Sequence, residues 1–150
     1  MLRAAITLFL ILSSNVHAAY EFTIEDPCSD QPILRADLNQ YGTTLGDVTI
    51  EALKKSNIPF KGSREGVASM LNTPTGDESV DILSNYEMRA FGWCYELNGK
   101  MLESMPDGVI TDEKTRSVRW FYAYAHYLKG DWISQCEEDK KIIKKFFCKK

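Results

Sequence analysis

The amino-acid sequence predicts an α+β fold, and three observations carry that prediction. Two segments alternate apolar and polar side chains with the period of a strand, Met88 to Leu97 and Ser117 to Leu128. An amphipathic segment with helix-capping signals, Asp47 to Ser56, lies before them. A second amphipathic segment ends the chain. One early helix, several strands and a final helix are typical of α+β domains.

The first residues have the features of a secretory leader. Arg3 is positively charged, and Ala4 to Leu12 is apolar apart from one threonine. This run is too short to span a bilayer, which takes about 20 residues. We therefore predict a signal peptide at residues 1–18, with cleavage one residue later as the alternative. The mature chain, residues 19–150, is expected to be a single domain, secreted or periplasmic.

Charge and cysteine content narrow the class of protein. The full chain has a formal net charge of −3, which argues against a dedicated nucleic-acid binder. Its four cysteines are Cys28, Cys94, Cys136 and Cys148, and an even number in an exported chain predicts two disulfides. Three pairings are possible, and the sequence does not choose among them; one joins Cys94 to Cys136 and Cys28 to Cys148. With no Cys-x-x-Cys pair and one mature histidine, His126, we predict no metal site and no cofactor.

In the first half, Tyr20 to Glu25 alternates apolar and polar residues and predicts a strand. Ile33 to Leu38 is a weaker candidate for a second strand. Thr44 begins a capping box completed by an aspartate, which predicts the start of the helix at Asp47 to Ser56. Asn57 suits a left-handed cap, and the proline two residues later prevents continuation.

In the middle of the chain, Gly66 to Asn72 is compatible with a short helix or a strand. Ser79 to Leu83 is a candidate strand. Met88 to Leu97 runs directly into Asn98-Gly99, a strong two-residue hairpin signal. After a further turn, Ser117 to Leu128 predicts the longest strand.

The C-terminal segment reads as a basic amphipathic helix. A turn at Lys129-Gly130-Asp131 is followed by a full capping box, Ser134 to Glu137, so the helix is predicted from about residue 134. Six lysines lie in the segment from Lys140 to Lys150, most of them opposite an apolar arc. This helix could bind an anionic membrane surface, but docking on the protein is favoured.

Four segments together resemble a known family. They are Thr43 to Lys55 (TTLGDVTIEALKK), Gly66 to Asn72, Phe91 to Gly99 (FGWCYELNG) and Arg119 to Tyr122. In this order they resemble transcobalamin C-terminal-like domains, over most of residues 40–128. The resemblance implies a β-grasp fold of the soluble-ligand-binding type, a curved mixed sheet around one helix. In transcobalamin-type proteins this domain contacts cobalamin together with a large helical domain, so the resemblance implies ligand binding without naming the ligand.

Aromatic side chains on the two long strands are the candidate binding residues. Large rings there could stack on a flat ligand or a sugar, although filling the core is the favoured explanation. The opposite face carries small residues such as Ala123 and Ala125, which would suit close packing against a helix. The candidate ligand-binding residues are Trp93, Tyr95, Trp120, Tyr122 and Tyr124.

The sequence therefore predicts an exported, non-enzymatic binding module for an unknown small molecule or protein. The alternative is a disulfide-stapled protein-interaction or inhibitor module of the envelope or extracellular space. His126 is a candidate catalytic base, but a lone strand histidine is more often a structural hydrogen-bonding group. No catalytic residue is predicted.

Overall fold

The computed structural model of the chain describes residues 19–148. The predicted signal peptide, residues 1–18, and the last two lysines lie outside the described residues. Within them, nine strands and two α-helices form. The strands are β1 (Tyr20–Ile24), β2 (Leu34–Leu38), β3 (Phe60–Ser63), β4 (Gly66–Met70), β5 (Val80–Ser84), β6 (Glu87–Leu97), β7 (Lys100–Met101), β8 (Ser117–Leu128) and β9 (Asp131–Glu137). The helices are α1 (Leu45–Lys55) and α2 (Lys140–Phe147).

The main sheet has the order β2-β1-β8-β6-β5, with β7 paired to β6 and β9 paired to β8. β1 runs antiparallel to β2 and parallel to β8. β6 and β8 form a continuous antiparallel ladder from the Glu87–Leu128 pair to the Leu97–Val118 pair. A separate two-stranded sheet consists of β3 and β4. This confirms the α+β prediction, with a mixed sheet, one helix packed on it and an added C-terminal helix.

Local signals explain where α1 begins and ends. The Thr44 hydroxyl accepts a hydrogen bond from the Asp47 backbone N–H at 3.0 Å, so the predicted capping residue does cap the helix. α1 nevertheless starts at Leu45, earlier than predicted, because the cap is Thr44 itself. Asn57 has φ 53°, the predicted left-handed conformation just beyond the helix.

Two further segments resolve as strands and turns. Gly66 to Asn72, open between helix and strand in the sequence, forms β4; Leu71 and Asn72 then take positive φ and end it. The β6–β7 turn has φ 53° at Asn98 and 72° at Gly99. Two successive positive φ values are what a tight hairpin of right-twisted strands requires.

The prediction of a helix from about residue 134 was wrong. The segment containing the Ser134 to Glu137 box is strand β9, and α2 begins only at Lys140. The turn at Lys129-Gly130 folds β9 back onto β8, and this long-range pairing prevails over the local helix signal. Asp139 is the actual cap: its side chain accepts hydrogen bonds from the backbone N–H groups of Lys141 and Ile142 at 2.9 and 3.2 Å.

Two disulfides tie the ends of the chain to the sheet. Cys28, just after β1, is bonded to Cys148 at the end of α2, and Cys94 on β6 is bonded to Cys136 on β9. The prediction of two disulfides is confirmed, and the pairing is the one considered above. Both bonds restrain the C-terminal segment from β9 to α2.

Both large hydrophobic clusters lie on one face of the sheet. Phe22, Ile24, Val118 and Trp120 of the sheet pack with the buried side of α1, and β4 adds Val67 and Met70 to that cluster. Further along β8 a second cluster forms, in which Ile143 of α2 packs on Phe91, Tyr122 and Tyr124. Both helices therefore pack on the aromatic face, not on the small-residue face as expected. Among residues 19–148 no helix is long and apolar enough to cross a membrane.

Candidate functional site

The five candidate aromatic residues lie on one face of β6 and β8, facing each other across the ladder. Trp93 is opposite Tyr122, and Tyr95 is opposite Trp120. Only Trp93 is half-buried; the other four are at most 7% exposed. Four of the five rings are thus part of the core, as the favoured explanation expected.

At the α2 end, the aromatic face is covered by the protein itself. Phe146 stacks on Phe91 with ring centroids 3.9 Å apart, and Phe147 contacts Tyr122 at 5.7 Å. Tyr122 and Tyr124 are therefore closed to a ligand as long as α2 is docked. The apolar side of α2 packs against the sheet in this contact. Lys140 and Lys144 of the same helix both lie close to Asp30.

Burial changes the pKa values of the two tyrosines at this end. Burial raises the pKa of Tyr122 well above its ordinary value, and its hydroxyl is buried without a hydrogen-bond partner among the described residues. Burial, together with the neighbouring Glu137 carboxylate, raises the pKa of Tyr124 to about 12, while Arg89 opposes the shift. Both phenols are neutral at physiological pH.

At the α1 end, the polar atoms of the other three rings are all bonded within the protein. The Trp120 indole N–H donates to the Thr49 hydroxyl at 3.0 Å. The Trp93 indole N–H donates to the Thr73 hydroxyl at 2.9 Å. The Tyr95 hydroxyl donates to the backbone carbonyl of Ser104. Each ring is therefore fixed in orientation. Trp93 has appreciable exposed carbon surface, whereas Tyr95 is 7% and Trp120 2% exposed.

These three rings line an open groove, which we call the aromatic groove. Its volume is about 370 Å³. One wall is strand β4 and the other is the loop after β7, with the rings of β6 and β8 between them. The lining residues are Gly66, Val67, Ala68, Trp93, Tyr95, Ser104, Met105, Pro106 and Trp120. The sequence pattern places the three rings on one face but does not indicate either wall, because neither wall segment has a pattern that points to a ligand.

A second, wider groove of about 600 Å³ runs between α1 and β3. Its charged side chains include Asp47, Glu51, Lys54 and Arg64. Glu51 is already engaged with Lys55 and with Gln40. Because these charges sit on exposed, flexible stems, this groove is less preorganised than the aromatic groove.

The small-residue face holds a third, smaller groove of about 270 Å³. Ala90, Gly92, Ala123 and Ala125 line it, and the half-exposed Trp132 of β9 stands at its side. The Cys94–Cys136 bond links β6 to β9 beside this groove, and the space above the small side chains stays open.

On the same face, Arg119 was missed by the sequence analysis. Its guanidinium lies 2.7 Å from Glu138, 3.3 Å from Glu25 and 3.4 Å from Glu96, and it stacks over the Phe121 ring. Partial burial acts to lower the Arg119 pKa, but these carboxylates outweigh it and raise the pKa. Arg119 therefore joins β1, β6 and the β9–α2 junction, which is a structural task.

The groups considered for catalysis are engaged elsewhere. His126 Nε2 lies 2.9 Å from the Glu87 carboxylate, across the β6–β8 ladder. Within the described residues every cysteine is in a disulfide. Within residues 19–148 no three His, Cys, Asp or Glu side chains form a group that could hold a metal ion.

Comparisons with known proteins add little to this geometry. No family model and no curated protein matches the chain. A solved structure of a protein from Ruminococcus gnavus, described as a candidate metal-binding protein, aligns with 70% of this chain and 95% of its own, at 13% identity and a TM-score of 0.43. That similarity is too weak to carry an argument, and the resemblance to transcobalamin C-terminal-like domains stays a prediction.

Proposed function

We propose that the chain is an exported, non-enzymatic binding module that holds an apolar ligand in the aromatic groove. One observation carries the proposal: the half-buried Trp93 ring, fixed by its indole hydrogen bond, turns carbon surface into an open groove between two walls, above the largely buried rings of Tyr95 and Trp120. Binding sites are typically concave and apolar, with a preformed lining. The groove lies at Trp93, Tyr95 and Trp120, three of the predicted binding residues.

Several features support the rest of the proposal. Two disulfides fit an oxidising compartment, in agreement with the predicted leader. The order of the sheet, in which a hairpin and a helix precede a return strand parallel to β1, fits the β-grasp fold that the resemblance implies. The non-enzymatic part of the proposal rests on the engagement of His126 and of the cysteines described above.

The direct test is tryptophan fluorescence in a Trp132→Phe background. Trp132 lies on the opposite face, so this change leaves Trp93 and Trp120 as the reporters. Indole, an uncharged naphthalene derivative and a set of mono- and disaccharides would be titrated. We expect a saturable change in emission with the aromatic compounds, because the rings offer stacking surface but no free polar atom.

A matched pair of variants locates the response. Ala68→Phe fills the aromatic groove from β4, whereas Ser63→Phe places the same ring in the α1–β3 groove from the other strand of the same hairpin. Binding should be lost in the first variant and kept in the second. No saturable response from any compound, or a response insensitive to Ala68→Phe, would contradict the proposal.

A protein-interaction module is the second candidate, and one observation favours it. Apolar side chains are exposed at the adjoining tips of the β5–β6 and β8–β9 hairpins. Tyr86 is 69% exposed and Ile82 75% exposed. If two copies of the chain associate through this surface, analytical sedimentation should show a dimer, and Ile82→Ser should dissociate it. A monomer at every concentration would exclude self-association through this surface.

A further inference from the structure

The hydrogen-bonding groups of the aromatic groove restrict the chemistry of the ligands that can bind there. The two indole N–H groups and the Tyr95 hydroxyl are all committed to protein acceptors. A flat heterocycle or a sugar needs polar partners for its own donors and acceptors, and leaving them unpaired on binding is costly. The groove floor therefore favours aliphatic or aromatic carbon surface.

Backbone groups that can still form hydrogen bonds remain in one wall of the groove, strand β4. This strand pairs with β3 on one side only, and in the described part of the chain no strand pairs with its other edge. Residues Gly66 to Ala68 of β4 line the aromatic groove, whereas Phe60, Gly62 and Ser63 of β3 line the α1–β3 groove. The unpaired edge of β4 thus faces the aromatic groove. Such an edge presents alternating N–H and C=O groups that an extended chain can meet.

The pairing of β3 with β4 sets the length of this edge. The register shifts between Lys61 and Gly62, where Val67 pairs with Gly62 and Ser69 pairs with Lys61. Ala68 is the extra residue of this bulge, and a bulge bends its strand and ends regular pairing. The usable edge is therefore short, about three residues, which corresponds to a short segment of ligand chain.

The rim of the groove is acidic. Glu103 and Asp107 flank the Ser104–Pro106 wall, and within residues 19–148 neither has an ion-pair partner. After burial, the charge of Asp107 is the further cause that raises the pKa of Tyr95, so this carboxylate lies within electrostatic range of the Tyr95 hydroxyl, which is bonded to Ser104 of the same wall. Unpaired carboxylates at a rim attract a basic ligand and speed its encounter.

From these observations we infer that the aromatic groove binds an extended peptide with apolar side chains and a basic flank. Its main chain pairs with β4 at Gly66–Ala68, an apolar side chain lies on the rings of Trp93 and Tyr95, and a lysine or arginine meets the acidic rim. The inference rests on the proposed binding function and names its ligand class.

The test uses the intact disulfide-bonded chain with the Trp132→Phe change and synthetic pentapeptides, read by tryptophan fluorescence. The parent peptide is acetyl-Lys-Val-Phe-Val-Lys-amide. In an extended chain, alternate N–H groups point to opposite sides. Two derivatives, N-methylated on the odd or on the even residues, therefore remove the donors of one side at a time. We expect one derivative to bind at least tenfold more weakly and the other to bind like the parent.

The contribution of charge to binding is tested by changing first the peptide and then the protein. A peptide with glutamates in place of the lysines should bind at least fivefold more weakly, and high salt should narrow that difference. Asp107→Asn should reduce the preference for lysine while leaving the difference between the two N-methylated peptides unchanged. Asp81→Asn, at a carboxylate paired with Arg89 and remote from the groove lining, is the matched control and should change neither.

The outcomes separate the inference from the function on which it rests. If indole or naphthalene compounds bind and the peptides do not, the inference is wrong and the proposed function stands. If both N-methylated peptides bind like the parent, pairing with β4 is refuted. If no ring compound and no peptide binds, the inference and the proposed function fail together.

Discussion

Replacing Tyr122 by phenylalanine should make the protein more stable, although it removes a polar group from the core. The side chain is 2% exposed, and its hydroxyl has no hydrogen-bond partner among the described residues. Its neighbours are the rings of Phe91, Trp93 and Phe147. A buried hydroxyl without a partner costs about 1–3 kcal/mol. Phenylalanine has almost the same shape, so Tyr122→Phe removes this cost without opening a cavity.

We expect the free energy of unfolding to rise by about 1 kcal/mol, the low end of that range, since part of the gain is offset by repacking. For a domain of this size that is a rise of roughly 4 °C in the unfolding midpoint. Urea unfolding followed by circular dichroism measures it, and the dependence on urea should stay unchanged because the same surface is exposed.

Tyr95→Phe is the matched control, because it deletes the same atom from the facing strand. The Tyr95 hydroxyl donates to the Ser104 carbonyl, so its loss should lower the free energy of unfolding by about 1 kcal/mol. The two variants should therefore move in opposite directions. If Tyr122→Phe lowers stability as much as Tyr95→Phe does, the Tyr122 hydroxyl is bonded and the reasoning is refuted.

Three further predictions concern pH, crosslinks and a close backbone approach. The fold raises the pKa of Tyr124 to about 12, so the stability that its neutral phenol contributes is intact below pH 10 and is lost as the pH rises from 10 to 12. The free energy of unfolding, measured in urea across that range, should therefore fall less steeply with pH in Tyr124→Phe than in the parent chain. Replacing Cys94 and Cys136 by alanine opens a crosslink of sequence separation 42 and should cost about 4 kcal/mol of unfolding free energy, measured in urea; a loss under 1 kcal/mol would contradict it. Gly46→Ala puts a methyl 2.0 Å from a carbonyl oxygen of the β3–β4 turn and should lower the unfolding midpoint, whereas Gly92→Ala, with open space around it, should not.

The parts of the fold that the sequence predicts well are those with long, consistent local signals. Ser117 to Leu128 was predicted as a strand and is β8 with the same bounds. β6 begins one residue before its predicted start, at Glu87, and ends at the Asn98-Gly99 turn as expected. In each case the alternation of side chains, the turn residues and the tertiary pairing agree, so no competing structure is available.

The C-terminal segment shows what local signals leave open. Ser134 to Glu137 has the residues of a capping box, yet these four residues end strand β9. The box is worth about 1 kcal/mol, whereas pairing with β8 and the bond from Cys136 to Cys94 involve many more contacts. The helix is capped instead by Asp139, two residues after the box.

The candidate site was predictable only in part, for a geometric reason. Alternation shows that Trp93, Tyr95, Trp120 and Tyr122 share a face, but it does not show what covers that face. α2 covers Tyr122, and β4 with the loop before Pro106 leaves the other three at a groove. These covering segments are distant in sequence and carry no distinctive motif, so their positions follow only from the assembled sheet.

The two ends of the aromatic face are held by different forces, and under the proposed function this difference favours binding at the α1 end. At the α1 end, Trp93 and Trp120 are each anchored by an indole hydrogen bond, so their rings keep one orientation with or without a neighbour. At the α2 end, Tyr122 has no such bond among the described residues, and its position depends on the rings packed around it. A wall that must exist before its ligand arrives needs anchors of its own. The aromatic groove has such anchors. The Tyr122 end instead requires α2 to stay docked, and the Cys28–Cys148 disulfide holds the end of α2 in place.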